Sequence, residues 1–259
     1  MAKVTKTIEE LSILKKTLIN ILMVLLLMSL LSPTGLASNK NKEDYLKSPK
    51  HYISYLENYD EEVARELGIG EASIADAVED TKNILEQFKN LSKKEQQKYL
   101  KYLQDPELIS KTLKGGNPDL QFVETQEDIV EAEFIDATDE SDFEFGIMSS
   151  GTRTVTHKGE LVALGIKWSE YTIEGNYGYI STGATHHNST LAWVSRQWNP
   201  TVTTGLESSS GFVSNWYYYG RSVFNYKIGV AGYGVQIGVI HLRVEGNQNG
   251  KTSGQFWRE

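Results

Sequence analysis

Residues 161–180 read LVALGIKWSEYTIEGNYGYI, and this stretch decides the fold of the second half of the chain. Between Tyr171 and Tyr179, every second residue is aromatic, aliphatic or glycine. A period of two is typical of a β-strand, because successive side chains point to opposite faces of a sheet. The same alternation returns between Ile240 and Val244. Short strands of this kind, separated by Gly, Asn and Ser, predict an antiparallel β-sandwich or barrel-like domain.

The first half of the mature chain has the period of helices instead. Apolar residues form a stripe at helical spacing between Ile74 and Phe88. Ser92 and Glu95 then have the spacing of a capping box, in which each side chain accepts a hydrogen bond from the other residue's backbone N–H at the start of a helix. We therefore predict an α+β fold that begins with a small helical domain at 43–114.

An acidic linker is predicted between the two parts, at 115–150. Ten carboxylates lie between Glu124 and Glu144, and residues 121–150 contain no Lys or Arg. Like charges at this density oppose compaction of the chain. The spacing lacks the glycine and the closing Glu of a calcium loop, so we predict no metal site there. The all-β, aromatic-rich domain then occupies 151–259.

The first 37 residues have the order of a secretory signal peptide. Lysines precede an apolar run from Leu18 to Leu31, and a small-x-small site ends at Ala37. This order predicts cleavage between Ala37 and Ser38 and a secreted, extracellular protein. The chain contains no cysteine, which excludes disulfides, thiolate metal sites and thiol nucleophiles.

The formal charge of −8 is divided unevenly along the chain. Residues 1–37 carry +2, residues 38–150 carry −13 and residues 151–259 carry +3, and all five Trp lie in the last range. This asymmetry indicates separate roles for the two halves, or an acidic half that masks a basic one. A charge of +3 is too small for a nucleic-acid-binding stripe, so we predict no nucleic-acid partner.

No motif in the sequence predicts catalysis. Residues 151–259 contain no Asp, and the chain has neither a G-x-S-x-G elbow nor a zinc-protease motif. The adjacent His186 and His187 lie in a stretch, 183–190, that is typical of a solvated turn. We therefore predict a non-enzymatic protein with no catalytic residues, no metal and no cofactor.

Aromatic and basic residues cluster at two places in the β region. Trp193 and Trp198 flank Arg196, and residues 216–219 are four consecutive aromatics shortly before Arg221. Such sets suit sugar rings, peptide surfaces and the headgroup layer of a membrane. The residues predicted to bind the membrane or wall polymer of a target cell are Trp193, Arg196, Trp198, Trp216, Tyr217, Tyr218, Tyr219 and Arg221.

The layout resembles the large, heat-labile, secreted bacteriocins of the geobacillin type, which are not lantibiotics. The segments that carry this resemblance are 47–52 (KSPKHY), 66–68 (ELG), 77–82 (AVEDTK), 91–99 (LSKKEQQKY), 171–175 (YTIEG) and 181–185 (STGAT). They lie on both sides of the acidic link, and the resemblance extends over most of the mature chain. The resemblance implies an antibacterial protein secreted against related Gram-positive cells, with an immunity protein in the producer and no catalytic residues to transfer.

Three functional hypotheses follow from the sequence. The first is a bacteriocin-like protein whose β domain acts on the envelope of a competitor, while the helical segment keeps it soluble or inactive until release. The second is a secreted cell-wall or glycan-binding module, in which Asn199, Gln197 and Asn215 supply polar groups beside the Trp rings. The third is a secreted hydrolase with a helical pro-region. The oligomeric state is open.

Overall fold

The computed structural model of the chain describes residues 42–105, 120–125, 132–133, 150–230 and 233–258. The predicted signal peptide, with its cleavage site at Ala37 and Ser38, lies outside these residues, as does most of the predicted acidic linker. The described part consists of helices up to residue 104 and strands from residue 120.

Four α-helices precede the strands. They are α1 (Pro49–Glu57), α2 (Glu61–Glu66), α3 (Ile74–Asn90) and α4 (Lys93–Gln104), with 3-10 turns at Lys42–Leu46 and Glu71–Ser73. Polar caps fix where three helices begin, because the side chains of Ser48, Asp60 and Ser92 each accept a hydrogen bond from a backbone N–H of the first turn. The predicted capping box is confirmed, since Glu95 also accepts from the backbone N–H of Ser92.

Aromatic rings fill the centre of the helical region, residues 42–105. The centroid of the Tyr52 ring lies 4.9 Å from that of Phe88 and 5.8 Å from that of Tyr99. These three rings join α1, α3 and α4, and all of them are fully buried. Ring pairs at such separations stabilise a fold by about 1 kcal/mol beyond the burial of their surface. The helical region therefore has an aromatic core of its own.

Two antiparallel sheets follow the helices. The first contains β1 (Leu120–Thr125), β2 (Ala132–Glu133), β3 (Ser150–Ala163), β4 (Ile166–Ile180) and β5 (Gly183–Gln197), in the order β1-β3-β4-β5, with β2 also paired to β3. The second contains β6 (Val202–Ser214), β7 (Tyr217–Val230), β8 (Tyr233–Asn247) and β9 (Gly250–Arg258), in sequence order. Helices first and antiparallel strands second give the α+β class that the sequence predicts.

Three segments differ from what the sequence predicts. β1 and β2 lie within 115–150, the range predicted as an acidic linker, and both pair with β3. The carboxylate run begins at Glu124, near the end of β1, and β2 lies inside it. Like charge therefore does not prevent these two short segments from pairing with β3. Residues 183–190 are predicted as a turn but form the first half of β5. They pair with β4, and the pairing contains two register shifts.

Aromatic side chains of the first sheet contact aromatic side chains of the second. Tyr171 lies 5.0 Å from Phe224 and Tyr177 lies 4.9 Å from Tyr218, measured between ring centroids. The helical region contacts the first sheet, mainly through α3 against β4 and β5. At the edge formed by β5, Ile69 makes a β-bridge with Val194, and the backbone N–H of Gly70 donates to the carbonyl of Val194 at 2.9 Å.

Candidate functional site

The turn between β6 and β7 presents two exposed aromatic side chains. Trp216 is 54% exposed and Tyr217 is 39% exposed, although large aromatic residues are usually mostly buried. The carbonyl of Trp216 accepts a hydrogen bond of 2.8 Å from the backbone N–H of Ala184, which ties this turn to the start of β5. We call residues 212–221 the hairpin tip.

The backbone of this turn is left-handed at both central residues. Asn215 has a φ of 51° and Trp216 has a φ of 67°. Two-residue turns of this kind favour Asn followed by Gly, because a Cβ in the left-handed region meets the backbone. A left-handed conformation costs roughly 1–2 kcal/mol for an ordinary L-residue. Trp216 therefore occupies a position where glycine is the residue that the backbone prefers.

Aromatic rings and arginines alternate on the outer face of the second sheet beside the turn. Phe212 stacks on Tyr219 with ring centroids 5.2 Å apart. The guanidinium of Arg221 lies 5.7 Å from the centroid of Phe212, and that of Arg243 lies 5.4 Å from the centroid of Tyr219. Arg243 also forms an ion pair with Glu245. The sequence prediction did not include Phe212, because only the register of β6 on β7 places it opposite Tyr219.

Tyr218 belongs to the predicted set but points the other way. It is 0% exposed, and its ring stacks on Tyr177 between the sheets. Its hydroxyl lies 2.7 Å from the hydroxyl of Thr190. Burial raises the pKa of Tyr218, despite the opposing hydrogen bond with Thr190. Tyr219, the next residue, stacks on Phe212, so consecutive aromatics of β7 lie on opposite faces of the strand.

Trp193, Arg196 and Trp198 lie toward the other end of β5, under the helical region. We call these three residues the covered surface. The indole N–H of Trp198 donates to the hydroxyl of Thr81 at 2.8 Å, and the ring is only 1% exposed. Trp193 makes the same kind of bond, also 2.8 Å long, to the hydroxyl of Ser73.

Arg196 completes the covered surface through two carboxylates of α3. Its Nε lies 2.8 Å from Oδ2 of Asp80, and its Nη2 lies 3.7 Å from Oδ2 of Asp76. The eight predicted target-binding residues therefore separate into the hairpin tip, the covered surface and the buried Tyr218. Gln197 and Asn199, predicted as polar groups beside exposed Trp rings, are fully buried.

A buried polar network adjoins the covered surface and was missed by the sequence prediction. Glu170 is 4% exposed and accepts from Lys167 and, at 2.8 Å, from the hydroxyl of Ser195. Lys167 also pairs with Glu160, and the hydroxyl of Thr172 donates to that of Ser195 at 2.9 Å. No local sequence signal marks Glu170 as buried, because the covering helix comes from a distant part of the chain.

Burial and ion pairing act in opposite directions on the pKa values of this network. Burial alone would raise the pKa of Glu170, but Lys167, the Ser195 hydroxyl and Arg196 together hold the pKa below its ordinary value. Burial would likewise lower the pKa of Lys167, and the two glutamates raise it instead. Ser195 is buried beside a carboxylate that is itself paired with Lys167, so a substrate cannot reach its hydroxyl.

The described residues contain neither a metal-binding group of side chains nor a helix suited to cross a membrane. His186 and His187 are both exposed on β5, while His157 is buried between the sheets. In the described ranges, no group of three His, Asp or Glu side chains is placed to hold a metal ion. Within the same ranges, no helix combines the length and the apolar character needed to cross a membrane.

Comparison with known proteins finds no relative of this chain. No protein-family model, curated protein sequence or solved structure matches it. The hairpin tip and the covered surface are therefore interpreted from their own geometry and chemistry.

Proposed function

We propose that this protein is a secreted, bacteriocin-like antibacterial protein that acts without catalysis on the envelope of related Gram-positive bacteria. In this proposal the hairpin tip is the element that docks on the target cell. The two sheets form a β-sandwich that supports the tip, consistent with the contact of Tyr171 with Phe224 between them. The resemblance to geobacillin-type bacteriocins supports the antibacterial activity and the secretion.

The single observation that carries the proposal is the exposed Trp216 ring on a left-handed backbone. Strained conformations persist where the surrounding structure imposes them, and they cluster at binding and catalytic sites. Trp216 costs stability at its position, since its φ of 67° favours glycine, and half of its ring faces solvent. A side chain that is retained at such a cost is explained by a contact outside the molecule.

The chemistry of the hairpin tip suits an envelope surface. Trp and Tyr have an apolar ring and a polar group, which places them at boundaries between apolar and wet phases. Arg221 is exposed beside Phe212 and keeps guanidinium N–H groups available for phosphate oxygens. The tip therefore combines aromatic insertion with attraction to the anionic groups of an envelope.

A second candidate function is a wall-glycan or other glycan-binding module that does not kill. It is favoured by one observation, the exposed Asn215 next to the exposed ring of Trp216. A sugar stacked on the ring would find the Asn215 amide within the same turn. Binding of purified wall polysaccharide without any killing would favour this function over the first.

The substitution Trp216→Gly tests the docking role. It removes the ring and places glycine where the backbone prefers it, so relief of strain offsets the lost packing and the melting temperature is expected to change by only a few degrees. Killing of related Gram-positive strains by the secreted protein is expected to fall about 30-fold, as on loss of an aromatic hot spot. The measurement is the minimum inhibitory amount, taken alongside thermal unfolding.

Leu191→Ala is the matched control. Leu191 is also a large, exposed apolar residue. Its partner on β4, Glu174, is six residues from Ile180, the partner of Gly183 beside Trp216, so Leu191 lies roughly 20 Å along the sheet from the turn. This variant is expected to kill as the wild type does. If the wild type fails to kill any related strain, the antibacterial function is wrong. If Trp216→Gly kills normally, the docking role of the hairpin tip is wrong.

A further inference from the structure

We propose that the covered surface is a second binding site, specific for an anionic, hydroxyl-rich polymer of the cell wall, and that the helical region occupies it as an internal substitute for that polymer. This inference rests on the proposed action at the envelope and deepens it, because it names a ligand and a regulation. It concerns Trp193, Arg196 and Trp198, which lie apart from the hairpin tip.

The first argument is the chemistry of the groups that fill the site. The two indole N–H groups each donate to an alcohol hydroxyl, from Ser73 and Thr81. Arg196 between them holds two carboxylates, from Asp76 and Asp80. The helical region thus supplies a hydroxyl, an anion and a hydroxyl in that order along β5. A polyol-phosphate or sugar-phosphate chain offers the same groups in the same order.

The second argument concerns the residue types of the covered surface. Trp and Arg are the side chains most enriched at the energetic centres of interfaces, since each buries a large area and offers directed N–H groups. Trp198 is buried almost completely and the Arg196 side chain keeps only 12% of its exposure under the helices. Without this cover, two Trp rings and a guanidinium would lie on one sheet edge, ready for a ligand.

The third argument is that the polar groups around Glu170 are satisfied within the first sheet. Glu170, Ser195 and Lys167 bond to one another, and the Ser169 hydroxyl donates to Gln197 at 2.9 Å. Buried polar groups that would be orphaned on opening make an opening costly. The joint also holds buried hydrogen bonds that opening breaks, from the Tyr52 and Tyr59 hydroxyls to the carbonyls of Trp198 and Gln197. The bound polymer therefore has to replace these bonds as well as those of Arg196.

The fourth argument selects a polymer rather than a lipid headgroup. Trp193 lies on β5 and Trp198 directly follows its end. Their N–H groups bond to Ser73 and Thr81, eight residues apart along the start of α3, so they are roughly 12 Å apart. A single lipid headgroup presents one anionic group over a shorter length and leads into an apolar phase. The residues after Trp198 are polar, including the buried Asn199, which donates to the carbonyl of Leu103 at 2.9 Å. A repeating chain of hydroxyls and phosphates fits this length.

The experiment weakens the cover in the full chain and measures binding of purified poly(glycerol phosphate). The variant Asp76→Ala/Asp80→Ala removes both carboxylates from Arg196 and is expected to bind the polymer about tenfold more tightly than the wild type. The charge-matched control is Glu79→Ala/Glu86→Ala, which removes two exposed carboxylates of the same helix. It is expected to show at most a small gain from the lower negative charge.

A disulfide clamp makes the test independent of the stability of these variants. Ile69 and Val194 are partners in a β-bridge between the helical region and β5, and bridge partners lie about 5 Å apart, a distance that a disulfide spans. Ile69→Cys/Val194→Cys is added to Asp76→Ala/Asp80→Ala. With the disulfide formed, the gain in polymer affinity is expected to disappear, and reduction of the disulfide is expected to restore it. The wild type has no cysteine, so the reductant alone is expected to change nothing.

Four results would overturn the inference. The first is an equal gain in polymer affinity in the two double-alanine variants, and the second is polymer binding that does not depend on the oxidation state of the clamp. The third is a gain in affinity that persists when Arg196→Gln is added to Asp76→Ala/Asp80→Ala. The fourth is a gain in binding to anionic lipid vesicles but not to the polymer. The proposed function fails separately, when the wild type kills no related strain, since polymer binding through the covered surface does not require the hairpin tip. Clamp-dependent polymer binding without killing supports this inference and contradicts the antibacterial role.

Discussion

At the scale of single residues, glycines make room for the aromatic rings between the sheets. Gly175 of β4 faces Tyr218 of β7, and a Cβ on Gly175 would lie 2.1 Å from Cε1 of that ring. Tyr218 is held by its stack on Tyr177 and by its contact with Thr190, so it cannot move away without losing both. The close approach of the two strands at this point therefore depends on the missing side chain.

Gly175→Ala is expected to destabilise the protein by about 2 kcal/mol, the usual cost of overpacking a core. For a chain of this size the melting temperature should fall by roughly 4–8 °C. Gly205→Ala is the matched control on β6, because a Cβ there meets only the Asn225 side-chain oxygen, at 4.0 Å. Thermal unfolding that shows no difference between the two variants would contradict the packing of Tyr218 on Gly175.

At the scale of elements, the start of α4 depends on one reciprocal pair of hydrogen bonds. The Ser92 hydroxyl accepts from the backbone N–H of Glu95 at 3.3 Å, and the Glu95 carboxylate accepts from the backbone N–H of Ser92 at 2.9 Å. Ser92→Ala removes the first bond and is expected to cost about 1 kcal/mol in urea unfolding. Ser54→Ala, an exposed serine inside α1, should cost nothing, since alanine is the better helix former.

Local patterns account for the elements that the sequence predicts correctly. The alternation from Tyr171 to Tyr179 lies within β4, and the spacing of Ser92 and Glu95 marks the start of α4. Such patterns depend only on neighbours in the chain. They do not reveal which face of a strand a distant helix covers, so they give no sign that Glu170 is buried.

The candidate site was likewise predicted only as far as local sequence patterns allow. The sequence identifies the aromatic and basic residues, but exposure is decided elsewhere. Trp198 is buried because Thr81, 117 residues earlier, accepts its indole N–H. Tyr217 is exposed and its neighbour Tyr218 is buried, because the turn at Asn215 and Trp216 sets which of them faces the other sheet. Neither the packing of the helices nor the position of the turn can be predicted from the hydrophobic periodicity of the sequence.

At the scale of the whole molecule, two buried groups couple folding to pH. Burial and then the charge of Lys251 lower the pKa of His157 from 6.5 to about 4. Neither ring nitrogen of His157 has a hydrogen-bond partner among the described residues. The unfolded chain takes up this proton near pH 6.5 and the folded chain near pH 4, so stability is complete above pH 6.5 and is lost as the pH falls toward 4.

Glu170 acts in a lower range with the same direction. Its folded pKa lies below the ordinary value of 4.5 because Lys167, Ser195 and Arg196 outweigh the effect of burial. Its contribution is therefore complete above pH 4.5 and is lost as the pH falls through the folded pKa. Since Glu170 lies where the helical region covers the first sheet, its protonation weakens the joint between the two parts of the molecule.

We expect the urea midpoint of the wild type to fall in two stages, between pH 6.5 and 4 and then below 4.5. His157→Phe keeps the ring volume without the titrating nitrogens, so its midpoint should stay level from pH 7 to 5. Glu170→Gln should lose about 2 kcal/mol at pH 7, because it removes a charged hydrogen-bond acceptor, and should fall less steeply below pH 4.5. Glu207→Gln, at an exposed site, should follow the wild type throughout. A His157→Phe midpoint that still declines between pH 7 and 5 would show that acid acts on the fold through another group.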